Sequence, residues 1–167
     1  KLEYDLGPKT YPMSIKSLVS HNPPLSRITS SSQVTIVVPH VVGGWQVSNL
    51  TALTALGWGF SYLDGTTQGL TQDYLFFAPT NAGTYAPFPI VANTYKDLFT
   101  FQSGSGCVGD LYLYDNTTDP LNAIPAINGD NNMVILGAGP GNVYIGNDTG
   151  NVTCVAPCSA EAGTLGY

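Results

Sequence analysis

Two histidines, His21 and His40, are the side chains of this sequence that titrate nearest to neutral pH without perturbation. A hydrolytic triad needs such a histidine held against a nucleophile and oriented by a carboxylate. No G-x-S-x-G nucleophile elbow occurs, and the nearest run, residues 104–107 (GSGC), lacks the spacing. The only two glutamates, Glu3 and Glu161, lie near opposite ends and form no carboxylate pair for glycoside hydrolysis. We therefore expect no catalytic residues and no enzyme.

The two histidines differ in their surroundings. His21 lies in a proline-containing segment, so we expect it to act as a pH switch in a hinge, charging between about pH 7.5 and 5.5. His40 follows an alternating run at residues 33–39, and we expect it to be a strand-end histidine that faces solvent.

Three cysteines, Cys107, Cys154 and Cys158, leave at least one thiol free or paired outside the chain, because their number is odd. Cys154 and Cys158 lack a second pair of ligands for a zinc site, and both histidines lie far upstream. Buried thiols or one disulfide are the interpretations that the spacing favours.

Acidic runs at residues 115–119 (DNTTD), 128–132 (NGDNN) and 147–148 (ND) offer the hard oxygen ligands that calcium prefers. None of them matches the EF-hand loop, and Asx-turns account for the same residues without a metal. The sequence thus predicts no cofactor, with calcium in these loops as the alternative.

Composition limits the fold and the partners. The 167 residues are about one domain, and charged residues make up only 10%, while Gly (19), Pro (12) and Tyr (10) are abundant. This balance disfavours long helices. Five basic residues oppose eleven acidic ones, which predicts no nucleic-acid binding. No apolar run reaches the roughly 18 residues that span a bilayer, so membrane insertion is not expected.

The first 32 residues are predicted to be an N-terminal strand and a Pro-rich hinge or arm. Residues 1–6 (KLEYDL) alternate perfectly between apolar and charged positions, as in a half-buried strand. Four prolines follow before residue 33 and would interrupt a hydrogen-bond ladder, Pro8, Pro12, Pro23 and Pro24. The domain proper is therefore predicted to comprise residues 33–167.

Short strands bounded by Gly, Pro, Asn or Asp dominate that domain. The candidates are residues 33–39, 58–62, 73–78, 88–92, 98–102, 108–114, 133–136, 142–145 and 152–155. One short helix is predicted over residues 50–56, where Leu50, Leu53 and Leu56 are spaced by three and Gly57 ends the run, with a turn between strands as the alternative. The predicted fold is all-β, an antiparallel β-sandwich or a jelly-roll-like barrel.

Aromatic residues number 18, and several lie on consecutive strand positions. The run Leu111, Tyr112, Leu113 and Tyr114 is apolar on both faces of its strand. We expect one face to pack inside and the other to contact a partner subunit, which predicts a dimer or trimer. Core packing accounts for most of the aromatics, and a sugar-binding face is the alternative.

Four Asn-x-Ser/Thr sequons occur, at Asn49, Asn116, Asn147 and Asn151. They favour a secreted glycoprotein without settling the compartment.

The order of these parts resembles the shell-to-protrusion junction in capsid proteins of small non-enveloped RNA viruses. A last shell strand, here KLEYDL, runs into a Pro-containing hinge, here residues 7–32, and then into a compact Thr/Gly/Asn-rich β-domain. The chain is most similar in layout to the protruding domains of tetravirus-like and nodavirus-like insect viruses, including the Lake Sinai virus group. The resemblance implies a non-enzymatic domain on the virion surface that clusters on the particle and mediates attachment to a host receptor or glycan.

Two other functions remain open from the sequence. One is an extracellular filament or surface-layer subunit, in which residues 1–6 complement the sheet edge of a neighbour. The other is a secreted carbohydrate-binding module.

Overall fold

A computed structural model of the chain describes residues 1–20, 31–81, 89–136, 140–148 and 151–154. Nearly all the regular structure in these ranges is β-strand. The strands are β1 (Tyr11–Lys16), β2 (Val34–Pro39), β3 (Val47–Ala52), β4 (Trp58–Leu63), β5 (Gln72–Pro79), β6 (Tyr95–Ser103), β7 (Asp110–Leu113) and β8 (Val152–Thr153). Two single 3-10 turns, Gly65–Gln68 and Pro120–Ala123, complete the described elements.

The strands form two antiparallel sheets. One has three strands in the order β1-β6-β3, and the other has five in the order β4-β5-β2-β7-β8. The prediction of an all-β sandwich is confirmed. No helix in the described ranges is long and apolar enough to cross a membrane.

The main core lies between the two sheets. Alternation along β5 turns Leu75 and Phe77 toward the facing sheet, where the Phe77 ring stacks on Phe99 with centroids 4.9 Å apart. Phe101 of the same strand lies 5.0 Å from Phe77. Aromatic rings from both sheets therefore form the centre of the sandwich, as their positions in alternating strands predict.

A second, smaller core covers the other face of the five-stranded sheet. Val37, Tyr74, Tyr114 and Leu121 are buried there, and Leu121 comes from the 3-10 turn Pro120–Ala123. The Tyr74 hydroxyl donates a hydrogen bond to Asp119 Oδ1 at 2.9 Å. This sheet is therefore covered by the chain itself on both faces, which explains why its strands are apolar on both sides.

The prediction of a peripheral N-terminal arm is wrong for residues 1–16. Leu2 and Tyr11 are buried in the main core, and β1 pairs with β6 along its length. The first residues fold back as a hairpin, in which the Glu3 N–H donates to the carbonyl of Pro12 at 3.2 Å. Proline has no N–H, but the N–H and C=O of one residue point to the same side of a strand. Because the Pro12 carbonyl faces the hairpin, the missing N–H would also face the hairpin and not β6. Pro12 can therefore still occupy the strand position opposite Thr100 of β6.

The predicted helix over residues 50–56 is also wrong, because Val47–Ala52 is strand β3. The register against β6 shifts between Ser48 and Thr51, and Asn49 adopts a positive φ of 49° there. This bulge lets Leu50 pack partly against the core, while Leu56 is buried after the strand has ended. Long-range pairing with β6 thus overrides a leucine spacing that suits a helix.

Three other candidate strands do not form as predicted. Residues 133–136 and 142–145 are joined by a bond from the Val143 N–H to the Met133 carbonyl, 2.8 Å long, without becoming a named strand. Ile90 makes only an isolated bridge, and Phe88 lies outside the described residues.

Candidate functional site

The strand expected to face a partner is mostly interior. Leu111 and Leu113 are buried in the main core and Tyr114 in the second core, while Tyr112 is half-buried. Leu111 and Leu113 thus form the face that was expected to pack inside. On the other face Tyr114 is covered by the chain's own segment after β7, from which Asn122 Oδ1 accepts the Tyr114 hydroxyl at 2.5 Å, so the expectation of a partner-facing side chain is wrong for Tyr114.

Gly129, in the segment after β7, also packs against the ring of Tyr114. A Cβ at this glycine would stand 2.7 Å from the ring Cζ, so only glycine fits there. His21, the expected hinge switch, lies outside the described residues, and its role stays a prediction.

An apolar groove of about 510 Å³ opens beside β1, between that strand and residues 131–148. The surface of its lining is mainly apolar, although polar residues such as Ser14, Gln33 and Asn132 also line it. The aliphatic side chains include Met13, Ile15, Val34, Leu113, Met133 and Ile135. At its mouth Leu18, Val19 and Ile145 are 64%, 55% and 82% exposed. The sequence predicted an exposed apolar surface on β7 and did not predict this groove.

Paired charges stand at one end of the groove. Lys16 Nζ lies 2.7 Å from Asp148 Oδ2, and the Tyr95 hydroxyl donates to the same carboxylate oxygen. Lys1 Nζ and Lys16 Nζ both stand over the Tyr95 ring, 4.3 and 5.1 Å from its centroid. Hydrogen bonds from Lys16 and Tyr95 lower the pKa of Asp148. The groove mouth is thus apolar, and the charged side chains of Lys16 and Asp148 at its border form an ion pair with each other.

A second arrangement lies at the opposite end of β2, and we call His40, Tyr62, Asp64 and Asp73 the polar cluster. Asp73 occupies an inward-facing position of β5 and is fully buried, opposite Val38 in the register. His40 Nδ1 lies 3.0 Å from Asp73 Oδ1 and 3.7 Å from Asp64 Oδ1. The Tyr62 hydroxyl donates to Asp73 Oδ2 at 2.8 Å.

Backbone groups complete the surroundings of Asp73. The Gly65 N–H donates to Oδ1 at 3.1 Å and the Val41 N–H to Oδ2 at 3.3 Å. A buried carboxylate needs such donors, because desolvation without them costs several kcal/mol. Two loops, one after β2 and one after β4, therefore converge on a single side chain.

Contacts in and around the polar cluster shift the pKa values of three of its side chains. The hydrogen bond to Asp73 raises the pKa of His40, and burial together with Asp73 raises the pKa of Tyr62 to about 12. Hydrogen bonds from Thr66 lower the pKa of Asp64. His40 follows the end of β2 and is exposed, as the sequence predicted. Its ring is in addition held by a buried carboxylate on the neighbouring strand, which the sequence did not predict.

A carboxylate that fixes a histidine nitrogen is one part of a catalytic triad. Within the described residues, however, none of the hydrogen bonds of His40 reaches a serine, threonine or cysteine. The polar cluster therefore orients an imidazole and gathers carboxylates without presenting a nucleophile. A sequence signal for it existed, because Asp73 is the one charged residue at an inward position of an otherwise apolar strand.

The acidic loops contain Asx-turn hydrogen bonds. Asp115 Oδ1 accepts from the N–H and hydroxyl of Thr117 and from the Thr118 N–H, at 2.8, 2.6 and 3.1 Å. Asn128 Oδ1 accepts from the Asp130 N–H at 3.1 Å. Asp115 Oδ1 and Asn128 Oδ1, two of the oxygens that could bind calcium, therefore already accept hydrogen bonds.

Three of the four sequon asparagines are exposed, Asn49, Asn147 and Asn151, and Asn116 is half-buried. The Asn116 amide donates to the Asn131 carbonyl at 2.8 Å, and the Asn147 amide donates to the carbonyls of Leu113 and Tyr114. The Asn49 amide donates to Gln102 Oε1.

A disulfide joins Cys107 to Cys154, with Cα atoms 5.5 Å apart. The disulfide links the segment before β7 to the residue that follows β8. One disulfide was one of the two interpretations that the cysteine spacing favoured, the other being buried thiols. Cys158 lies outside the described residues.

Comparisons of the chain with protein-family models, curated proteins and solved structures give no match.

Proposed function

We propose that the chain is a structural surface domain of a viral capsid protein, which self-associates on the particle as a dimer or trimer and mediates host attachment. One observation carries the proposal, namely the exposed aliphatic mouth of the groove beside β1. Contiguous apolar surface of this kind on a folded domain marks a contact with a partner. The role is non-catalytic and belongs to the virion surface.

The other features agree with a surface role. A net charge of −6 and only five basic residues give no surface that neutralises nucleic acid. The polar cluster has no adjacent nucleophile among the described residues. The compact, Thr/Gly/Asn-rich β-domain is the part of the capsid resemblance that the fold retains, whereas residues 1–6 belong to this domain and not to a preceding shell strand.

The alternative functions lose their specific support. Strand donation to a neighbour requires a free N-terminal strand, but Leu2 and Asp5 bridge to Met13 and Thr10 of the same chain. A sugar-binding face requires exposed aromatic rings. Trp45 and Trp58 are buried, and the exposed Phe60 and Tyr95 lie in different sheets, on β4 and β6.

Immunoelectron microscopy tests the capsid assignment. Antibodies raised against the purified chain are applied to particles and cell fractions from the source organism. Gold label on isometric particles, at their outermost layer, is the expected result. Label on filaments or on the cell envelope, or particles without label, would overturn the proposal.

Self-association is tested by sedimentation of the chain at high protein concentration. Replacing Ile145 with Asp at the groove mouth is expected to weaken association about tenfold or more, because a charge is placed in an apolar contact. Val42→Asp is the matched control, since Val42 is 94% exposed and does not line the groove. Equal association of the two variants would remove the groove from the interface.

A further inference from the structure

We propose that the polar cluster is a binding site for a divalent transition-metal ion of the zinc class, with His40 Nδ1 and one carboxylate oxygen each of Asp64 and Asp73 as ligands. The proposal concerns the end of β2 opposite the groove and does not depend on the capsid assignment. It is argued from the spacing of the three ligand atoms, their chemistry, the groups that hold them and their charge.

The distances from His40 Nδ1 to the carboxylate oxygens are close to those that a zinc ion requires. Zinc bonds to nitrogen and oxygen are about 2.0 Å long, which places neighbouring ligands of a tetrahedral site about 3.3 Å apart. His40 Nδ1 stands 3.0 and 3.2 Å from the two oxygens of Asp73 and 3.7 Å from Asp64. All three ligand atoms lie within 4.8 Å of one another. A small movement of the partly exposed Asp64 side chain would shorten its 3.7 Å distance from His40 Nδ1 to the distance that zinc requires.

The ligand types select the class of metal. Calcium and magnesium prefer sites built entirely of oxygen, whereas an imidazole with carboxylates suits zinc and its neighbours in the first transition row. The polar cluster is the one group of at least three converging histidine, cysteine or acidic side chains among the described residues. It combines both ligand types, unlike the acidic loops.

The groups around the ligands hold them in place. Tyr62 and the backbone N–H groups of Val41 and Gly65 donate to Asp73, and each of these three donors lies outside the ligand set. Thr66 donates to Asp64 Oδ1 from its N–H at 2.9 Å and from its hydroxyl at 2.6 Å. Outer hydrogen bonds of this kind orient metal ligands and raise affinity by about 10- to 100-fold.

Charge favours a cation here. Asp73 is fully buried on a sheet face whose neighbouring inward positions, Leu75 and Val38, are apolar. Two carboxylates meet one imidazole, so the cluster is negative whether His40 is neutral or protonated. Binding of a divalent ion through the Nδ1 lone pair requires this nitrogen to be unprotonated: a doubly protonated His40 gives its Nδ1 proton to solvent, and a neutral His40 keeps its one proton on Nε2. Tyr62 keeps its proton and its hydrogen bond to Asp73.

The test uses the full chain, treated with a chelator and carrying Cys158→Ser so that this cysteine cannot bind the metal. Zinc is titrated calorimetrically in two buffers of different ionisation enthalpy, and cobalt(II) is added in a parallel optical titration. We expect one zinc ion per chain, release of protons on binding at pH values where His40 is doubly protonated, and the intense visible absorption of four-coordinate cobalt.

His40→Gln and Asp64→Asn each remove one ligand at a partly exposed position, so both variants are expected to fold, as circular dichroism will show. Zinc affinity should fall at least about tenfold in each. Asp115→Asn is the matched control, because it removes an exposed carboxylate of the same Asx-turn type, and its affinity should equal that of the parent.

Three results would overturn the site. They are the absence of zinc binding by the parent, equal zinc affinity in the parent and both ligand variants, and a cobalt spectrum without four-coordinate absorption. A rise in melting temperature with zinc that occurs in the parent and Asp115→Asn, but is lost in both ligand variants, supports it independently of calorimetry.

Discussion

Strand β2 has an apolar site at one end and a polar site at the other. Val34, at its start, lines the groove, and His40, just beyond its end, belongs to the polar cluster. The groove offers aliphatic side chains whose positions no hydrogen bond fixes. In the polar cluster, by contrast, four groups contact the two oxygens of Asp73: the hydroxyl of Tyr62, the N–H groups of Val41 and Gly65, and His40 Nδ1.

The difference shows how one sandwich carries two surfaces of opposite character. Apolar surface can be left in water at modest cost, so the groove mouth needs no compensating contact. A buried carboxylate has no such freedom, because each missing donor costs free energy. Stability is therefore expected to depend strongly on the polar cluster and weakly on the groove mouth.

The largest effect is expected at Asp73. Asp73→Ala leaves the Tyr62 hydroxyl and the N–H groups of Val41 and Gly65 without their acceptor, and should lower the free energy of unfolding by about 4 kcal/mol. Urea denaturation followed by tryptophan fluorescence measures the change. A loss below about 1 kcal/mol would show that the cluster is not held as described.

Leucine truncation compares the groove floor with the enclosed core. Leu113→Ala is expected to cost about 3 kcal/mol, and Leu75→Ala about 1 kcal/mol more, because water from the groove can enter the space beside residue 113. Urea denaturation of both variants tests this order. The reverse order would show that the groove floor is packed as tightly as the centre.

Tyr62→Phe removes one donor to Asp73 and keeps the ring. We expect a loss of about 2 kcal/mol, since hydrogen bonds to charged groups contribute more than neutral ones. Tyr144→Phe is the control, because its hydroxyl donates to the neutral and exposed Asn147. Thermal unfolding of the two variants should differ clearly, and equal melting temperatures would contradict the special status of the cluster.

The smallest effect is expected at the groove border. Lys16 and Tyr95 lower the pKa of Asp148, and Lys1 and the N-terminal amine also face this carboxylate. The ionised Asp148 therefore stabilises the fold above the unfolded pKa of about 3.9. This stabilisation is lost as the pH falls through the lower pKa of the folded state. Asp148→Asn should therefore reduce the melting temperature slightly at pH 7, and this difference should vanish in strong acid. A difference that persists at low pH would rule out the ion pair as its origin.

Alternation predicted the strands that carry the polar cluster and β2, whose Val34 lines the groove. Residues 33–39, 58–62, 73–78 and 98–102 all lie in strands of the sandwich. β1 and β3 were not predictable, because Pro12 and the leucine spacing argue locally against strands that only the distant β6 stabilises. Local signals report what a segment prefers alone, and sheet pairing can override that preference.

The sites were predictable only in part. His40 was identified as a chemically capable residue, but its partner Asp73 lies 33 residues away and is brought to it by the pairing of β2 with β5. Tyr114 was expected to lie exposed and is instead covered by the second core, which comes from a loop with little sequence signal. The groove beside β1 was not predicted, because the strand that lines it was not predicted.

The pairing of β1 with β6 has a consequence for synthesis of the protein. Tyr11 pairs with Phe101, so 90 residues (101 − 11) separate the partners. At translation rates of about 5 to 20 residues per second, the amino-terminal hairpin waits roughly 5 to 18 s before its partner strand has been made. During that interval Leu2, Tyr11 and Met13 have no sheet to pack against, and the nascent chain exposes them to chaperones or to neighbouring ribosomes' products. The three-stranded sheet is thus completed late, from the middle of the sequence back to its beginning.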